Sequence, residues 1–168
     1  MAPKKITAAH FSADTLEFLG LLDKYGVKYL IVGGEAVVYH GHIRLTGDVD
    51  IYYSPEAANV RQFYNALQEF WSGDIPGIES EEDLRKTGVI FQFGVPPNRI
   101  DIMNEVDDLE FEAAWNERDD FILHAGRQQL TIHYIGLRSL IRNKRAVNRP
   151  RDQEDLKFLE ALIRKKSR

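Results

Sequence analysis

Three aspartates carry most of the chemistry legible in the sequence. Asp48 and Asp50 stand two apart in the β-prone run Asp48-Val49-Asp50-Ile51-Tyr52-Tyr53. On a strand that spacing puts both carboxylates on one face, with Val49 and Ile51 on the other, toward the core. Aspartate is a poor strand former. Two like charges side by side also cost energy, which a divalent cation would remove, and hard oxygen ligands suit Mg²⁺. Asp101, between Ile100 and Ile102 in the run Arg99–Met103, lies alone on one face of a later strand. If the two strands pair, the three carboxylates converge. They could then hold two cations about 3.5–4 Å apart, the arrangement used for in-line phosphoryl chemistry. Taken singly, an Asp-x-Asp or a lone strand aspartate is more often a solvent-facing residue. The pattern gains weight only together with the unit that positions it.

That unit is residues 29–53. An aliphatic run, Tyr29–Val32, reads as a strand. Gly33-Gly34 follows, then a helix-compatible stretch with Ala36, Val37, Val38 and Tyr39 apolar, then the acidic strand. The double glycine has two readings. One is a tight strand-to-helix turn, since glycine accepts positive φ freely. The other is a phosphate cradle, with free amides at a helix start facing an anion. Neither GxGxxG nor GxxxxGK[ST] occurs, so the dinucleotide and P-loop classes are not supported. Glu35 suits the helix dipole, but a carboxylate near a triphosphate is repulsive unless it points away. His40 and His42 lie close in sequence and read as structural.

The remaining elements frame this unit. Ser12 or Asp14 caps a helix through Leu22, ended by Gly26. Ser54-Pro55-Glu56 starts another helix to Trp71. Residues 72–87 form a polar loop with a short helix at 80–86. Residues 88–103 read as a hairpin, and a short helix follows Asp107-Asp108. A second hairpin turns at Ala125-Gly126-Arg127. Helices over Gly136–Ala146 and Arg151–Lys166 close the chain. The fold class expected is α/β (α+β), a mixed central β-sheet with flanking helices and C-terminal helices. The chain reads as one domain over 1–168, with a flexible arm over 1–11 and a C-terminal helical part over 136–168.

With 168 residues, 43% of them hydrophobic, the chain is long enough for a core without staples. There is no cysteine, which excludes disulfides, thiolate metal sites and cysteine nucleophiles. No apolar run approaches the roughly 20 residues of a membrane span. Met1-Ala2-Pro3-Lys4-Lys5 lacks the apolar core of a secretory signal. A cytoplasmic protein with no membrane partner is therefore expected. The net charge of −4 argues against a general nucleic-acid coat, but its distribution is uneven. Residues 105–120 are acidic. Residues 138–151 carry Arg138, Arg142, Lys144, Arg145, Arg149 and Arg151 with no acid. The two runs are either solvated faces, or the basic one folds over a site where phosphate is held.

Taken together, Gly33-Gly34, Asp48-Val49-Asp50 and Asp101 resemble the signature of the nucleotidyltransferase superfamily, the polymerase-β-like fold. Within it the chain is similar to small proteins related to the AbiEii-type toxins. The likeness rests on Gly33-Gly34-Glu35-Ala36, His40-Gly41, Arg44, Thr46, Asp48 and Asp50. It extends to Asn143–Ala146 and Arg149–Leu156, and covers roughly residues 27–162. The resemblance implies transfer of a nucleoside monophosphate from a nucleoside triphosphate, such as ATP, to an acceptor hydroxyl. Asp48 and Asp50 would bind two Mg²⁺; Asp101 would share one cation and act as general base. Gly33 and Gly34 would give amides to the triphosphate, with Arg44, Thr46 and Lys144 as secondary contacts. Lys144 is the best candidate to neutralise the β- or γ-phosphate. The acceptor stays open between RNA (tRNA included), protein and a small molecule. A toxin–antitoxin partner belongs to the same expectation. In one departure from the family, many catalytic members have Ser where Gly34 stands. Two alternatives remain: a nucleotide- or RNA-binding module that keeps the fold without turnover, and a metal-dependent phosphohydrolase.

Overall fold

The computed structural model describes residues 6–168. After a 3-10 turn at Ala8–His10, helix α1 runs over Ala13–Lys24. Its N-cap is Ser12, whose Oγ accepts from the Thr15 amide at 3.1 Å. Gly26, at φ +63°, turns the chain out of the helix. Strand β1 (Tyr29–Val32), helix α2 (Gly33–Tyr39) and strand β2 (Asp48–Tyr53) follow. Next come α3 (Ala57–Phe70), α4 (Glu81–Arg85), β3 (Ile90–Phe93), β4 (Arg99–Met103) and α5 (Phe111–Asn116). The hairpin β5 (Asp119–Ala125) and β6 (Gln128–Tyr134) leads into α6 (Leu137–Val147) and α7 (Pro150–Lys166).

Among the described residues the strands form one mixed sheet in the order β3-β4-β2-β1-β6-β5. β2 and β4 pair in parallel, as do β1 and β6; the other neighbours are antiparallel. This is the mixed sheet with flanking helices expected from the residue pattern. β1 sits near the middle and every residue in it is buried. That explains why it reads as a continuous aliphatic run rather than an alternating one. Phe18, Leu19 and Leu22 of α1 and Val60, Phe63 and Leu67 of α3 cover the sheet. Buried Asn59 ties α3 to the strands, accepting from the Lys28 amide at 2.7 Å and donating to the Lys28 and Ser54 carbonyls.

Two details differ from expectation. Of the arm expected over 1–11, residues 1–5 lie outside the described residues. Ile6 and Phe11 are buried in the core, so residues 6–11 are docked, not loose. Their apolar side chains anchor the segment on either side of the 3-10 turn. The helix after Pro55 begins later than expected, with Glu56 as N-cap; Ser54 Oγ instead accepts from the Glu56 amide at 3.3 Å.

The C-terminal helices meet at a sharp corner. Asn148 takes the left-handed conformation that ends α6, and Pro150 opens α7. Gly136 delivers α6 from β6. A Cβ there would collide with the Glu117 carbonyl oxygen, a backbone atom with little freedom to move. Gly136→Ala should therefore lower stability by about 1–3 kcal/mol in urea unfolding, the usual range for overpacking. An unchanged midpoint would show that the corner relaxes freely.

Candidate active site

The parallel pairing of β2 with β4 sets Asp48 beside Arg99 and Asp50 beside Asp101. Side chains at paired positions project to one face, so the three carboxylates meet, their nearest oxygens all within 4.8 Å of one another. They lie in a cleft of about 670 Å³ whose walls include Gly33, Gly34, Arg44, Thr46, Lys144 and Arg149. Every site residue expected from the sequence thus borders one cavity.

Arg99 was not anticipated, and it takes two of the three acids. Its Nη2 donates to Asp48 Oδ2 at 2.8 Å and to Asp101 Oδ2 at 3.2 Å. Its Nε stands 3.0 Å from Asp101 Oδ1, but the hydrogen is not aligned and both atoms lack a hydrogen bond. The signal was present in the sequence: Arg99 and Asp101 alternate on one strand face. Gln92, on β3, adds a long 3.4 Å contact to Asp101.

Asp50 is different. Among the described residues its carboxylate has no ion-pair partner, and it lies against the backbone of Gly33. A Cβ at Gly33 would clash with Asp50 Oδ2, and Gly33 sits at φ +64°. Glycine is thus required twice over, by the conformation and by the close approach. Desolvation, reinforced by Asp48 and Asp101, pushes the Asp50 pKa up to about 7. Burial also raises that of Asp101, against the opposing pull of Arg99. A desolvated, unpartnered carboxylate between two others, with all-oxygen donors, suits a hard divalent cation.

Gly34 is constrained differently. A Cβ there would lie 2.9 Å from Arg44 Nη2 and 3.0 Å from Thr46 Oγ1. The space a serine side chain would fill is taken by these two groups. Thr46 Oγ1 also donates to the Asp48 carbonyl at 3.1 Å, tying the loop to the first acid.

Lys144 reaches this wall but is not free. It is 3% exposed, and its Nζ is bound by Asp152 at 2.7 Å and Asp155 at 3.1 Å, both on α7. Arg149 is the more available cation. Its Nε pairs with Asp152 at 3.0 Å while its side chain remains 71% exposed, and Asp152 first, then Asp50 and Asp48, favour its charged form. Asp152 and Asp155 were legible only as a pair three apart on a helix.

Glu35 turns away from the carboxylates. It is buried, with Oε1 2.6 Å from His10 Nε2, and lines a neighbouring cavity. The repulsion expected between it and a phosphate is relieved by that placement. His40 is buried on the Ile135 carbonyl at 2.9 Å, and burial lowers its pKa. His42 packs on Phe158.

The model of a family described as "Nucleotidyltransferase of unknown function (DUF6036)" matches residues 13–165. No curated protein matches the chain. No helix among the described residues is long and apolar enough to cross a membrane.

The state of Asp50 yields a prediction. Its pKa is above the unfolded value, so between about pH 4 and 7 the folded protein holds the extra proton, and stability falls as pH rises through that window. In chelator, Asp50→Asn should be more stable than the parent protein. The advantage should grow by roughly 2 kcal/mol between pH 5 and pH 8 in urea unfolding. An advantage that does not change with pH would contradict this.

Proposed function

Because the chain belongs to this nucleotidyltransferase family, we propose that it transfers a nucleoside monophosphate from a nucleoside triphosphate to an acceptor hydroxyl. The observation that carries this reading is the unpartnered Asp50 carboxylate, in register with Asp101 and on one face with Asp48, in a cleft with a basic wall. Asp48, Asp50 and Asp101 would hold Mg²⁺, two ions in the full complement. When bound, these cations would supply charge neutralisation and Lewis-acid polarisation of the phosphoryl oxygens.

The chain's own residues have distinct tasks. Asp101 takes the proton of the acceptor hydroxyl, whose oxygen forms the new bond to the α-phosphorus while the bond to pyrophosphate breaks. Burial holds Asp101 at a higher pKa than an exposed carboxylate, which suits a base. Gly33 and Gly34 offer backbone amides to the phosphates. Arg44 and Thr46, packed over Gly34, flank the same position. Arg149 takes the phosphate-neutralising role that the sequence assigns to Lys144, because Lys144 is held by two aspartates and Arg149 is open to the cleft. Lys144 acts from behind, fixing the α6–α7 corner. The acceptor is an RNA, a protein or a small molecule. A toxin–antitoxin partnership and a cytoplasmic site of action rest on the sequence reading alone.

The second reading, a nucleotide- or RNA-binding module without turnover, is favoured by one observation. Arg99 already neutralises two of the three acids.

Incubation with Mg²⁺, each labelled nucleotide in turn and cell extract separates the two readings. The expected outcome is label in a macromolecule or small alcohol, abolished by Asp48→Asn or Asp101→Asn while the fold survives. Arg149→Gln should raise KM for the nucleotide about tenfold and leave kcat within a few-fold. Nucleotide binding without any labelled product would favour the module. Lack of Mg²⁺-dependent thermal stabilisation by millimolar ATP, GTP, CTP or UTP would sink both.

A further inference from the structure

Two aspartates on α7 are more deeply buried than the acids of the cleft. Asp152 and Asp155 are each 1% exposed and three apart, so they share one helix face. Three cations converge on them. Lys144 Nζ bridges both; Arg149 pairs with Asp152; Arg44 pairs with Asp155, its Nη2 donating to Oδ2 at 3.1 Å. Three positive charges on two carboxylates leave positive charge in excess on the cleft wall, facing Asp48, Asp50 and Asp101.

Buried ion pairs are a poor source of stability, because desolvation consumes most of the Coulombic gain. Position is the better account of this cluster. Arg44 lies on the loop between α2 and β2, without regular structure to hold it. Left to itself, a loop arginine samples many rotamers. Asp155 restricts it to one place, over Gly34, where a Cβ would meet Arg44 Nη2 at 2.9 Å. Its Nε lies buried 3.1 Å from Asp155 Oδ1 on the same edge, while among the described residues Nη1 has only a 3.3 Å contact to the Leu45 carbonyl. The guanidinium is anchored by one edge, and donor capacity is left over.

We propose that Asp155 is a positioning residue: it holds the Arg44 guanidinium over Gly34 so that its remaining donors meet the triphosphate of the nucleotide. The proposal rests on the nucleotidyltransferase reading above and extends it from the cleft to the C-terminal helix. It makes Asp155, which stands outside the cleft lining, a part of the binding site without touching the ligand.

Inorganic tripolyphosphate with Mg²⁺, titrated calorimetrically into the full chain, isolates the triphosphate from base recognition. Asp155→Asn should weaken binding about tenfold, as should Arg44→Gln, and the double variant should be no weaker than either single one. Mn²⁺ binding at the three cleft aspartates, followed by electron paramagnetic resonance, should stay within about twofold, which general damage to the fold would not allow. Should Asp155→Asn fail to fold, Asp155→Glu keeps the charge and shifts it by one methylene, and should show the same loss. Binding unchanged in either Asp155 variant, or losses that multiply in the double variant, overturns the positioning role alone. A parent protein that binds no tripolyphosphate overturns the nucleotidyltransferase reading and this one with it.

Discussion

The constraint on which the rest depends is electrostatic. Pairing β2 with β4 in this register forces three carboxylates within 4.8 Å of one another. At that separation each like-charged pair costs roughly 3 kcal/mol at an effective dielectric of 20. Arg99 offsets part of the cost by pairing with Asp48 and Asp101. Asp50 is left over, and burial first, then the charges of Asp48 and Asp101, raise its pKa. A sheet that places charge in this way is storing strain at one spot, and such spots are where function concentrates. The hydrophobic body, centred on the fully buried β1, supplies the stability that tolerates it.

A second layer of charge surrounds the first. The carboxylates Asp152 and Asp155 collect Lys144, Arg149 and Arg44 into a basic wall. The C-terminal helices are therefore not an appendage on the sheet. The corner at Asn148 and Pro150 fixes α7 relative to α6, and α7 fixes the loop that carries Arg44. The 3-10 turn acts similarly on the other side. His10 engages Glu35 and keeps its carboxylate out of the cleft where phosphate would be repelled.

Much of this was legible in the residues. Strand elements announced themselves through aliphatic runs, and Asp-Val-Asp against Ile-Asp-Ile fixed which side chains share a face. The double glycine was readable as a turn, but its cause was not. Gly33 is required by the Asp50 carboxylate and Gly34 by Arg44 and Thr46, contacts that exist only once β2 folds back beside β1. Arg99 lay in plain view two residues before Asp101, yet the pairing of β4 with β2 was needed to bring it onto Asp48 as well. Lys144 shows a different limit. Its place in the basic run marks it as a candidate phosphate contact, and only the folded helices show Asp152 and Asp155 enclosing its ammonium group. Residues 6–11 were misjudged because burial of Ile6 and Phe11 has no local sequence signature.

The central claim is that Asp48, Asp50 and Asp101 form a divalent-cation site. Crystals of the protein grown with Mn²⁺, with data collected at the manganese edge, address it directly. Anomalous density is expected between the three carboxylates, with the Arg99 side chain displaced from Asp48 or Asp101 to admit the ion. Saturating Mn²⁺ with no anomalous peak at these residues, and Arg99 still bridging Asp48 and Asp101, would contradict it.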